Sequence, residues 1–173
     1  VSHPTNDPQR ERLTTATLLA YAAPAAPISA MGLPIAVYLP PFYAGEVGLG
    51  LSLVGSIFML ARFWDVVTDP ILGILSDRFW TRWGRRRHWI VVGTPIIMVA
   101  AYKVFIPETP VSGSYLLGWM LVLYVGYTLL TISHLSWGAE LSPDYNQRSR
   151  VQGWREIFLI VGMITVLALP AVI

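Results

Sequence analysis

The sequence predicts an all-α membrane protein, and three observations carry that reading. Of its 173 residues 54% are hydrophobic, and the mean hydropathy is +0.56. Charged residues make up 13%, against about 25% in soluble globular domains. The apolar residues fall in five runs, at 15–43, 51–75, 88–106, 115–139 and 151–173, each near the ~20 residues a spanning helix needs. Helices follow because lipid cannot satisfy the backbone of an open sheet. There are no cysteines, which excludes disulfides and thiolate metal sites. The pI of about 9.1 would suit nucleic acid, but the arginines cluster in short stretches between apolar runs, as membrane topology requires. Membrane lipids, and no nucleic acid, are therefore the expected surroundings.

Residues 1–14 form a polar tail with no apolar signal-peptide core. The first run carries Pro24, Pro27, Pro34, Pro40 and Pro41, which predict a kinked or partly broken helix. The second run is 25 residues long and rises about 38 Å, more than the ~30 Å hydrocarbon core, so it tilts. Basic residues then set the orientation. Arg10 and Arg12 lie in the tail, Arg78, Arg82, Arg85, Arg86 and Arg87 after the second run, and Arg148 and Arg150 after the fourth. The alternate loops, "AGEVGLG" and "PETPVSGS", hold no lysine or arginine, and nearby Lys103 can snorkel to the interface. The N-terminus and the second and fourth loops are expected in the cytoplasm.

"RFWDVVTD" places Arg62, Asp65 and Asp69 inside the second run. The i, i+4 spacing puts both carboxylates on one helix face, with Arg62 one turn before. Each such group costs about 2.5–3.5 kcal/mol at mid-membrane unless it meets water or a partner. One alternative is a structural Arg62–Asp65 ion pair locking two helices, although one arginine does not neutralise two acids. The other is a site for a small cation: oxygen ligands suit a hard ion, and paired carboxylates let a proton compete for the place. The fourth run offers further polar groups in Tyr127, Thr128, Thr131 and His134. Hydroxyls in membrane helices are more often interhelical contacts than ligands. His134 has no second histidine at ligand spacing, so it reads as an interface residue. No nucleophile–base pair, HExxH or phosphate loop appears, and no enzyme is expected.

"GILSDRFWTRWGRRRHW" follows the acids. A basic topogenic loop accounts for its arginines but not for Gly73, the Asp77–Arg78 pair or Gly84. G-x-x-x-D-R followed by G-R-R-R resembles the loop signature of the major facilitator superfamily. The longer form here is similar to the glycoside–pentoside–hexuronide:cation symporter family, of which the melibiose permease is typical. "YLPPFYAGEVGLGLSLVG", "LARFWDVVTDPILG" and "WGAELSPDYNQRSRVQGWREIFLIVG" resemble the same family, so the likeness runs from about Ala36 to the end of the chain.

The resemblance implies a major-facilitator-type N-terminal six-helix bundle, of which this chain holds helices one to five at 15–173. It implies a cation site, for Na+ or H+ and with no cofactor, at Asp65, Thr68, Asp69 and Thr128. A substrate cavity for a sugar or related small polar solute falls on Tyr38, Arg62, Tyr127 and Arg155, with Ser29 and Thr131 at positions where the melibiose carrier has carboxylates. Galactoside specificity is therefore not implied. A conformational-switch loop falls on Gly73, Asp77, Arg78, Gly84, Arg85 and Arg86. A bacterial inner membrane is the implied location.

The chain begins at Val1 and stops inside the apolar "VLALPAVI". The expectation is either most of the N-terminal bundle of a twelve-helix cation-coupled carrier, whose C-terminal bundle is missing here, or a half-length relative acting as a structural subunit of a larger membrane complex. In the first case the substrate would sit at mid-depth between the two bundles.

Overall fold

The computed structural model describes residues 12–79, 82, 86–108 and 110–172. All of its regular structure is helical, and five spans are long and apolar enough to cross a membrane. The first span is interrupted, as its prolines require. Helix α1 (Thr15–Ala22) starts at Thr14, whose hydroxyl accepts the Thr17 N–H at 3.3 Å, and it ends just before Pro24. Pro24 has no N–H to give, so the helical ladder stops and restarts as α2 (Ala25–Val37). A short α3 (Leu39–Pro41) and a π-helical turn (Phe42–Glu46) follow. Gly48 and Gly50, both at φ 81°, then reverse the chain in a conformation that side chains with a Cβ rarely adopt.

Four longer helices complete the bundle: α4 (Leu51–Arg78), α5 (Arg87–Phe105), α6 (Gly113–Glu140) and α7 (Tyr145–Val172). Helix α4 runs one turn past the apolar run, which brings Asp77 and Arg78 into its last turn. Helix α7 starts six residues before its apolar run. Its polar first turns are held by Asp144, whose carboxylate accepts the Gln147 N–H at 3.1 Å, in a D-x-x-Q capping pattern.

Helix α6 is the centre of the bundle. It buries half of its span, whereas the other four bury a third or less. It packs along α5 and α4, while α1 and α2 pack on α7. Small residues set these approaches. A Cβ on Gly126 would lie 3.0 Å from the Ile97 backbone nitrogen, and the space beside Gly162 is filled by the Ala26 carbonyl and the Ser29 hydroxyl. Close backbone contact of this kind is how helices gain dispersion energy in lipid, where no hydrophobic drive exists between them. A core of Leu39, Tyr43, Val54, Ile57, Val104 and Met120 closes the half away from the arginine loop. A smaller cluster of Leu18, Tyr21 and Val151 closes the other.

Candidate functional site

The α4–α6 crossing joins three of the residues singled out in the sequence. The Thr128 hydroxyl lies 3.1 Å from Asp65 Oδ1 and 2.8 Å from Asp69 Oδ1. One helical turn places both acids on the same face of α4, and Thr128, almost fully buried, projects from α6 between them. A hydroxyl has a single proton to donate, so it cannot fully satisfy both carboxylates at once. Two ionised carboxylates that share one hydroxyl repel each other, by on the order of a few kcal/mol at an effective dielectric of 20. That arrangement invites a positive charge.

The guanidinium of Arg62 supplies only part of it. It reaches Asp65 Oδ2 at 3.2 Å and lies over the Tyr124 ring at 5.7 Å, yet its side chain is 70% exposed against 16% for Asp65. Among the described residues no arginine or lysine lies within ion-pair distance of Asp69. The crossing is therefore not a sealed ion pair. Thr68, buried one turn from Asp65, donates back to the Trp64 carbonyl at 2.9 Å, with the Asp65 carbonyl at 3.3 Å.

The remaining cavity residues divide. Arg62 and Tyr127 line one cavity of about 230 Å³ with Gly32, Ile35, Phe58 and Tyr124. Thr131 interacts with Tyr127, and among the described residues Arg155 Nε is buried without a hydrogen-bond partner, while Arg155 Nη1 bonds Glu156 at 2.8 Å. Ser29 is engaged elsewhere: its hydroxyl meets the Ala26 carbonyl at 2.9 Å and the Leu159 carbonyl at 2.8 Å, which ties α2 to α7. Tyr38 lines a separate cavity of about 420 Å³ with Phe42, Glu46 and Phe105, beyond the end of α2.

Of the residues expected to form a conformational-switch loop, Gly84 and Arg85 lie outside the described residues. Arg86 is buried and is a hub. It pairs with Asp77, donates to Ser76 Oγ at 2.9 Å and reaches Glu140 at 3.3 Å, joining the ends of α4 and α6. Ser76 in turn donates to the Gly73 carbonyl at 2.8 Å, and Arg78 is exposed at the last turn of α4. Reading the sequence missed Ser76 and Glu140. The only signal was their position near the ends of two apolar runs flanking the same arginine loop.

Long apolar helices, a pair of acids at the central crossing and a charged clasp at one end define a helical integral membrane protein. The chain belongs to the MFS/sugar transport protein family of the major facilitator superfamily, whose model matches residues 20–173. It is similar to the inner membrane symporter YicJ of Escherichia coli, at 32% identity over 80% of this chain and 31% of that protein. It is also similar to the sodium-dependent lysophosphatidylcholine symporter 1 of Gallus gallus, at 28% identity over 90% of this chain and 30% of the other. The putative glycoside/cation symporter YagG of Escherichia coli is 28% identical over 76% of this chain and 30% of its own length. The chain thus spans about a third of the length of the curated relatives it matches.

Proposed function

We propose that the chain forms most of the N-terminal bundle of a cation-coupled secondary transporter, with Na+ or H+ held at Asp65, Asp69, Thr68 and Thr128. The observation that carries this reading is the single Thr128 hydroxyl within 3.1 Å of both carboxylates. The cation is cargo: its arrival offsets the repulsion between the acids, draws α4 and α6 together through Thr128, and frees Arg62 to face the cavity it shares with Tyr127. Release on the other side restores the repulsion. The relatives named as a sodium-dependent symporter and a putative glycoside/cation symporter support coupling to a cation. The N-terminus and the two arginine-bearing loops lie in the cytoplasm, in a bacterial inner membrane.

The solute is a sugar or a related small polar molecule, for which Tyr127, Thr131 and Arg155 supply hydrogen-bonding groups. The Arg155 Nε, buried without a hydrogen-bond partner among the described residues, supports this, because a buried polar group without a partner is costly unless a ligand satisfies it. A second reading, an amphiphile, is favoured by Ile35, Phe58 and Leu123 in the cavity that Arg62 and Tyr127 line. The decisive experiment is uptake by the full-length carrier with Asp65→Asn. Cation-driven accumulation is expected to fall to background while the protein still inserts. Unchanged sodium or proton dependence would overturn the reading, and competition between sugars and lysolipids would separate the two solute classes.

A further inference from the structure

Away from the acids, α6 makes a second reciprocal contact, this time with the broken first span. Tyr21 donates its phenol proton to the His134 carbonyl at 3.1 Å, and His134 Nε2 lies 2.8 Å from the Tyr21 carbonyl. A carbonyl can only accept, so Nε2 carries the imidazole proton. The two rings stack at 4.5 Å and 17°, and Trp137 meets Tyr21 edge-on at 5.8 Å. The Tyr21 phenol also occupies the space that a Cβ on Gly138 would need. Both Tyr21 and His134 are almost fully buried.

The place of this contact gives it meaning. Tyr21 sits in the last turn of α1, immediately before the break that Pro24 forces. Beyond the break, α2 contributes Gly32, Ile35 and Ala36 to the cavity that holds Arg62 and Tyr127. Thr128 and His134 lie six residues apart on α6, about 9 Å along the axis and about 120° around it. One therefore faces α4 and the other α1, on a single helix whose backbone bonds keep them in register.

We propose that Tyr21 and His134 form a latch by which the state of the acid pair sets the angle of the α1–α2 break. His134 is a positioning residue in this scheme: a shift of α6 toward α4, made through Thr128, moves the Nε2 donor and the His134 carbonyl together. The break follows, because both hydrogen bonds that tie the end of α1 to α6 are on one residue pair, backed by the Trp137 edge contact, and α2 carries the cavity wall with it. The proposal rests on the acid pair being the cation site.

The test is hydrogen–deuterium exchange of the 20–30 segment in the full-length carrier in lipid nanodiscs. Saturating sodium chloride is compared with choline chloride, or acid with neutral pH after correction for intrinsic rates where the wild type binds no sodium. Cation is expected to slow wild-type exchange at the break by about threefold or more. His134→Phe keeps a ring and loses the donor; its break is expected to exchange fast in either medium while titration shows cation affinity within about threefold of wild type. His134→Gln keeps a donor and is expected to keep the response, which a merely structural role for the ring would not predict. Should His134→Phe fail to assemble, Tyr21→Phe removes only the phenol proton and is expected to weaken the response. A cation response in His134→Phe or, failing that variant, in Tyr21→Phe, equal to wild type overturns the latch. Asp65→Asn separates the two ideas: retained cation binding in that variant overturns the site assignment, whatever the latch does.

Discussion

One hydroxyl decides how the acid pair behaves. Thr128→Val keeps the shape and removes the oxygen, and we expect cation affinity to fall about tenfold, the ~1.4 kcal/mol of one hydrogen-bonding or ligating group. Thr128→Ser should hold affinity within about threefold, and a cation titration of the two variants checks both expectations. Asp65 and Asp69 were legible from their spacing alone, because i, i+4 is a property of one helix and needs no neighbour. Thr128 was not legible from spacing, since Tyr127, Thr128 and Thr131 are equally polar in the sequence; the family resemblance named it, and the α4–α6 crossing brings its hydroxyl to both acids. Ser29 shows the reverse case. A cavity role was implied for it by resemblance, yet its hydroxyl is taken up by the Ala26 and Leu159 carbonyls. Hydroxyls that close a helix pair and hydroxyls that face a cavity read alike until the packing is known.

At the scale of the elements, prolines and caps explain most boundaries. The broken first span was legible in its cluster of prolines: Pro24 withholds an N–H where α1 stops, whereas the isolated Pro70 and Pro95 are carried inside α4 and α5. The early start of α7 was not seen in the apolar pattern, since its first two turns are polar, although D-Y-N-Q at Asp144 to Gln147 carries the capping signal. Asp144→Ala is expected to cost about 1 kcal/mol and to raise exchange in the first turn of α7, measured by hydrogen–deuterium exchange. Gly162→Ala tests the α2–α7 approach. With the Ala26 carbonyl and Ser29 hydroxyl already in place, the added methyl must push the helices apart. A loss of about 1–3 kcal/mol is expected, read from thermal unfolding in detergent. The clasp at Arg86 explains why an arginine-rich loop is more than topogenic: one guanidinium serves Ser76, Asp77 and Glu140, a set that an ammonium group in Arg86→Lys cannot span. The loop residues were legible from the G-x-x-x-D-R and G-R-R-R pattern, but Glu140 was not, because it lies 54 residues from Arg86 in the chain.

For the molecule as a whole, the distribution of arginines predicts sidedness that can be read directly. The chain has no cysteine, so single replacements report cleanly. Ser149→Cys should react with a membrane-impermeant thiol reagent only from the cytoplasmic side, and Ser114→Cys only from the other. Within the bundle α6 meets α4 at the acids, α1 at Tyr21 and the arginine loop at Glu140, so the proposed coupling would run through this one helix. Its role at the acids is the claim on which the others depend. The most direct measurement is a sodium titration of the purified full-length carrier in nanodiscs, with proton release recorded in parallel. Saturable binding of sodium, of protons, or of one in exchange for the other is expected in the wild type, weakened at least about tenfold in both Asp65→Asn and Asp69→Asn. Wild-type affinity in either variant would contradict the account.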